Sequence, residues 1–243
     1  MTKRVLIMAL HGAGLQGGFY GALAPHMTDV AFKAVTLPGH DVRKNESLLE
    51  NIAAMALWLR GQLDDLPAEY DVVLLGHSMG SLAVLEAAAH ARVRAAVLTG
   101  AGAAMPVNPD LLQTAQDDPA AAGAQVAKWG VFRYHPQAEA LRNLLIGYMA
   151  EVPSAAIGCD LAACDAYQNG GAAAAQVQKP VLVLTGEADI MTPMSGAQTL
   201  CDLLPQGSLA IVAEAGHMLP LEKPLETAKE IKDFLRECGI LPR

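Results

Sequence analysis

The chain has 243 residues, 52% of them hydrophobic and 17% charged, which supplies one sizeable core and excludes a disordered chain. A formal net charge of −8 argues against nucleic acid and anionic membrane surfaces as partners, and it disfavours a polyanionic substrate. No apolar run reaches the ~20 residues of a membrane span. Cys159, Cys164, Cys201 and Cys238 fall in no CxxC or metal-ligand spacing, so reduced thiols, no metal and a cytoplasmic location are expected.

Apolar strand-like runs alternate with helix-like segments along the chain, the pattern of a parallel sheet covered on both faces. Residues 5–10 read as the first strand. Although Lys3 and Arg4 precede them, the run is too short for a signal peptide and ends in His11-Gly12-Ala13-Gly14 rather than a small-residue cleavage site. Residues 30–36 form the second strand and stop at Pro38-Gly39. A helix over 47–63 follows from Leu48, Ile52, Met55 and Leu59, spaced by three or four. Residues 71–75 are the third strand, 79–89 an alanine-rich helix, and 93–99 the fourth strand. Two more strands, 180–184 and 209–213, each precede a helix; the last helix covers 225–237, with Ala228, Ile231, Phe234 and Leu235 as its apolar stripe. Between 103 and 178 no buried strand is legible. A structureless loop of that length is implausible in a compact domain, so the segment is read as a helical insertion.

Tyr70 to Gly80 joins a strand to a helix through Gly76-His77-Ser78-Met79-Gly80. A nucleophile on so tight a turn takes a strained backbone, and its neighbours two positions away must lack side chains that collide. The turn lifts Ser78 above the sheet edge and leaves the Met79 N–H at a helix N-terminus, where developing negative charge is favoured. G-x-S-x-G alone is a weak pattern; the apolar strand before it and the helix after it supply the confirming context.

A serine hydroxyl needs a base, and the base needs a partner to fix its tautomer. His217 sits in Gly216-His217-Met218-Leu219-Pro220, between the last strand and the last helix. In a parallel sheet that loop opens onto the same edge as Ser78. His77 flanks the nucleophile and should point away from it, and His11 is expected to order its own loop. His40 is a candidate for the pocket wall, while His26, His90 and His135 are expected in solvent.

The Ser78 turn, the His11-Gly12 turn and Leu37-Pro38-Gly39-His40 together resemble the α/β-hydrolase superfamily, nearest to its small, capped esterases and lactonases. The resemblance covers nearly the whole chain outside the insertion, and it implies several roles. The residue after His-Gly, Ala13, would provide one oxyanion N–H and Met79 the other. The acid would lie in Gly186-Glu187-Ala188-Asp189, which selects Asp189 over Glu187. The His217 loop matches the family's catalytic-histidine loop, and the order Ser78, Asp189, His217 agrees with the fold. Residues 103–178 would be a helical cap over a core of 1–102 and 179–243. Relatives usually carry a hairpin before the His-Gly strand, and only Met1 to Arg4 precede it here, so a sheet of about six parallel strands is expected. Of the cap side chains, Trp129, Phe132, Tyr134 and Tyr148, with His40 and Met218, are candidates for the pocket. The expected activity is cleavage of a small, mostly apolar ester or lactone through an acyl-enzyme, without cofactor. The same triad also serves C–C bond hydrolysis, lyase chemistry and acyl transfer, and a catalytically slow ligand receptor is a rival of a different class.

Overall fold

In a computed structural model, residues 4–242 are described. The chain runs β1 (Arg4–Leu10), β2 (Ala31–Val35), α1 (Ile52–Asp64), β3 (Tyr70–His77), α2 (Met79–Ala87) and β4 (Val93–Thr99). Five helices then intervene: α3 (Pro109–Asp117), α4 (Pro119–Gly130), α5 (Ala138–Ala150), α6 (Ser154–Asp165) and α7 (Gly170–Gln176). The chain closes with β5 (Val181–Gly186), α8 (Met194–Leu203), β6 (Gly207–Val212), α9 (Leu219–Glu222) and α10 (Pro224–Glu237). Among the described residues the strands form one six-stranded sheet in the order β2-β1-β3-β4-β5-β6, every pair parallel.

The sheet is double-faced because its inner strands carry continuous apolar runs through their middles, and alternate side chains serve opposite faces. Ile7, Ala9, Val73, Leu75, Val97 and Leu184 meet Phe19, Tyr20, Ile231 and Phe234 on one side. Met8, Leu10, Leu74, Leu98 and Val183 meet α1, α2 and α8 on the other, through Met55, Leu59, Leu82 and Leu200. The edge strand β6 is only partly covered, and Ile211 stands 47% exposed.

One helix boundary differs from the sequence reading by a full turn or more, for a physical reason. The helix expected over 47–63 begins at Ile52, because the Asn51 side chain accepts the Ala54 N–H at 2.9 Å and caps it. Leu48 carries helical spacing but lies in the preceding loop, packed against the Gly39 turn. Within the insertion, Asn108-Pro109 and Asp118-Pro119 start α3 and α4 as side-chain N-cap followed by proline. α7, rich in alanine, packs closely between α2 and α8 alongside the helices of the sheet. No single described helix is long and apolar enough to cross a membrane.

Candidate active site

β3 ends at His77, and Ser78 makes the turn into α2 with φ 51 and ψ −120, a backbone conformation that side-chain-bearing residues seldom adopt. Its neighbours explain how the turn survives. A Cβ on Gly76 would lie 2.5 Å from Ser81 Cα, and one on Gly80 would run into the carbonyl oxygens of Leu10 and His11. The first turn of α2 and the end of β1 thus press against the elbow, and only glycine fits. Hydrogen bonds to β4 complete the restraint: Ser78 N–H donates to the Thr99 carbonyl at 2.9 Å, and Ser81 Oγ donates to the same oxygen at 3.0 Å. Ser78 itself stays partly accessible at the floor of a cavity.

The loops after β5 and β6 bring Asp189 and His217 together, with Nδ1 of His217 2.9 Å from Oδ2 of Asp189 and both side chains buried. The carboxylate accepts, so Nδ1 carries the proton and Nε2 is left as the basic nitrogen. Three further donors hold the carboxylate. Oδ1 accepts the N–H groups of Met191 at 2.9 Å and Thr192 at 2.8 Å, and Oδ2 accepts the Thr192 hydroxyl at 2.6 Å. Burial alone would raise the Asp189 pKa, but His217 and Thr192 outweigh it and hold the carboxyl below its usual range. Thr192 Oγ1 also lies 3.1 Å from His217 Nδ1. Thr192 escaped the sequence reading, although a threonine three residues after a loop aspartate is a turn signal.

Ser78, His217, Thr192 and Ala13 share one cavity of about 360 Å³. Its walls are Leu15, Met105, Val107, Leu111, Val126, Trp129, Leu161, Met191 and Met218, so α3, α4 and α6 roof it. No lysine, arginine or carboxylate lines it among the described residues. Met79 is fully buried directly behind Ser78, at the start of α2. His77 stacks on Phe19 at 4.5 Å, and burial, reinforced by His217 and His11, lowers its pKa well below the ordinary value, so it is neutral. His11 acts on its own loop as the sequence suggests. Its Nδ1 faces the Gly12 carbonyl at 2.9 Å and its Nε2 accepts the Leu37 N–H at 3.1 Å, while burial and the neighbouring His40 lower its pKa to about 3. Glu187, the rejected acid, is exposed and accepts the Glu214 N–H.

Of the six pocket candidates, Trp129 and Met218 line the cavity and four do not. His40 turns its Nε2 to Asp160, at 2.9 Å. Phe132 and Tyr134 lie beyond the end of α4, packed on each other, with Tyr134 69% exposed. Tyr148, on α5, faces the Gly21 turn. Two carboxylates to which the sequence reading gave no role matter instead. Glu222 accepts the N–H groups of Phe132 at 2.7 Å and Gly216 at 3.1 Å, tying the His217 loop to the insertion. Its carbonyl faces His135 Nε2 at 3.1 Å, so that histidine is not simply solvated. Asp160, wholly buried on α6, accepts from the Gly14 N–H. An acid in the middle of an alanine-rich apolar helix was its only sequence signal.

A doubly wound parallel sheet with a strained serine after β3, and a bonded aspartate–histidine pair at the same edge, defines a class of hydrolase scaffold. Residues 6–230 match the family model described as the alpha/beta hydrolase family, and the chain belongs to that family. It is 25% identical over 252 residues to the pimeloyl-[acyl-carrier protein] methyl ester esterase of Aromatoleum aromaticum, covering 95% of this chain and 98% of that protein. Among solved structures, a lipase-esterase related protein from Clostridium acetobutylicum superposes with a TM-score of 0.81 at 19% identity, over 95% of this chain and 94% of the other. The enol-lactonase from Burkholderia xenovorans gives 0.83 at 17% identity, over 96% and 91%.

Proposed function

We propose that this protein is a serine esterase that cleaves a small, mostly apolar carboxylic ester or lactone through an acyl-enzyme. The observation that carries the reading is the 2.9 Å bond between Asp189 and His217 Nδ1, at a cavity whose floor is Ser78. With Nδ1 engaged, Nε2 takes the Ser78 proton as Oγ attacks the substrate carbonyl. The Ala13 and Met79 N–H groups hold the oxyanion, and charge developing there gains most in a site screened from water. The tetrahedral intermediate collapses, His217 returns its proton to the leaving alkoxide, and water then cleaves the acyl-enzyme by the same relay. Asp189 orients the imidazole and steadies its charged form. No step calls for a metal or organic cofactor.

The walls support an uncharged substrate, since an anionic one would meet no cation there. The name of the Aromatoleum relative, a methyl ester esterase, supports ester cleavage over the other chemistries of this triad. Helices α3 to α6 serve as the cap in this reading, and their side chains select the acyl group.

The test is labelling with a fluorophosphonate followed by mass mapping and turnover. Adduct on Ser78 in the wild type, none in Ser78→Ala, and faster turnover of neutral esters than of esters bearing a carboxylate are expected. Adduct formation without turnover on any ester or lactone points to the receptor reading instead, and an adduct elsewhere overturns the assignment of Ser78.

A further inference from the structure

Asp160 is 0% exposed, yet it belongs to an inserted helix with no counterpart in the sheet. Its Oδ2 accepts the Gly14 N–H at 2.8 Å and faces His40 Nε2 at 2.9 Å, while its Oδ1 is buried without a partner. One carboxylate oxygen therefore joins three separate segments: the loop after β1, the loop after β2, and α6. A buried charge is costly to leave idle, and its contacts ask for a role beyond filling space.

The geometry shows what these contacts control. Gly14 sits at φ +65, and Ile157 of α6 closes over it. A Cβ added at Gly12 would lie 3.1 Å from Ser78 Cβ, so the Gly12–Gly14 loop lies directly over the serine. Gly14 N–H belongs to the peptide plane next to the one carrying the Ala13 N–H. Anchoring the first restricts rotation of the second from its far side, while His11 Nδ1 at 2.9 Å and the Leu15 N–H at 3.2 Å hold the Gly12 carbonyl of that second plane. His40 stiffens the anchor. Its Nδ1 faces the Pro38 carbonyl at 3.1 Å, and its ring lies 5.0 Å from that of His11, which ties the β1 loop to Leu37. Both nitrogens of His40 face acceptors, which suits an imidazolium paired with the Asp160 carboxylate.

We infer that Asp160 is a positioning residue for the oxyanion hole: through Gly14 it fixes the Ala13 N–H, so that seating of the cap and alignment of the hole are one event. The inference rests on the esterase reading. It assigns catalytic consequence to a residue that touches neither the substrate nor the reacting atoms.

The test compares Asp160→Ala and Asp160→Asn with the wild type. Turnover is normalised to the fraction of molecules that a fluorophosphonate titrates, so that misfolded protein does not count. Displacement of a catalytic donor by about 1 Å costs on the order of 10²-fold. Asp160→Ala should lower kcat per titrated site by roughly 30- to 100-fold, with KM changed by no more than about threefold. Asp160→Asn keeps an acceptor for Gly14 and should recover part of that loss. Affinity for a trifluoromethyl ketone, whose adduct places an oxyanion in the hole, should fall in parallel with kcat/KM. Wild-type-like kcat per titrated site in Asp160→Ala overturns the inference, as does ketone affinity that stays constant while kcat falls. Failure of the wild type to be titrated at all overturns the esterase reading rather than this one.

Discussion

Replacing Thr192 by valine removes one hydroxyl at nearly constant volume, and the structure sets the size of the effect. Asp189 loses the donor at 2.6 Å on Oδ2 and keeps the Met191 and Thr192 N–H groups on Oδ1 and His217 on Oδ2. A hydrogen bond to a charged group contributes about 1.5–3 kcal/mol, and the carboxylate is too buried for water to replace it fully. At roughly 2–4 °C per kcal/mol for a chain of this size, Thr192→Val should melt about 3–12 °C below the wild type. The kinetic effect is smaller than that of losing Asp189, which costs about 10⁴-fold in comparable triads, because the tautomer of His217 is still enforced. Only the part of the bond that strengthens as the imidazole becomes charged affects turnover, so kcat should fall about tenfold, or about 1.4 kcal/mol. Thermal melts and steady-state kinetics on a neutral ester measure both, and Thr192→Ser, which restores the hydroxyl, should recover most of each. If the valine variant matched the wild type in melting and turnover, or if serine behaved like valine, the hydroxyl would not be holding the carboxylate.

Strain at Ser78 gives a prediction of opposite sign. Ser78→Gly relieves φ 51 and should raise stability by about 1 kcal/mol while turnover falls roughly 10⁶-fold; a variant that melts lower than the wild type contradicts the strain argument. A pH dependence follows from His40. Burial opposes its charge, but Asp160 prevails and raises its pKa above the ordinary 6.5. The pair's contribution is therefore complete below pH 6.5 and disappears as the pH rises through the folded value. The melting-temperature gap between wild type and Asp160→Asn should widen from alkaline to acidic pH, whereas a constant gap would mean that His40 carries no charge in the fold.

How much of this was legible beforehand depends on where the determinants lie. The strands were readable because a sheet buried on both faces leaves continuous apolar runs, and 93–99 agrees with β4 to the residue. The serine turn and the histidine loop were readable because their constraints are local. The pocket walls were not. α6 buries Ala156, Ile157, Asp160, Leu161, Ala163 and Cys164 around most of its circumference, so no polar face reveals its orientation. Aromatic content drew attention to Phe132 and Tyr134, but Gly130 ends α4 and carries the chain away from the cavity before either is reached. Leu111, Val126 and Leu161 line it instead, and nothing in the sequence separates those from ordinary core residues. The His40–Asp160 pair spans 120 positions and follows no spacing rule.

The inserted helices are bonded to the sheet's loops at two places, and this bears on how such a scaffold can change substrate. The Gly130 carbonyl at the end of α4 accepts the N–H groups of His217 at 2.8 Å and Met218 at 3.2 Å, and Glu222 bridges Phe132 to Gly216. On the far side, Asp160 grips Gly14. Apart from Glu222 and Asp160, these groups are backbone, so they persist whatever side chains α3, α4 and α6 turn toward the cavity. Leu111, Val126, Trp129 and Leu161 can then vary the pocket while the loops carrying Ala13 and His217 stay in register. Selectivity and positioning are assigned to different atoms of the same helices, and only the second kind is fixed by hydrogen bonds.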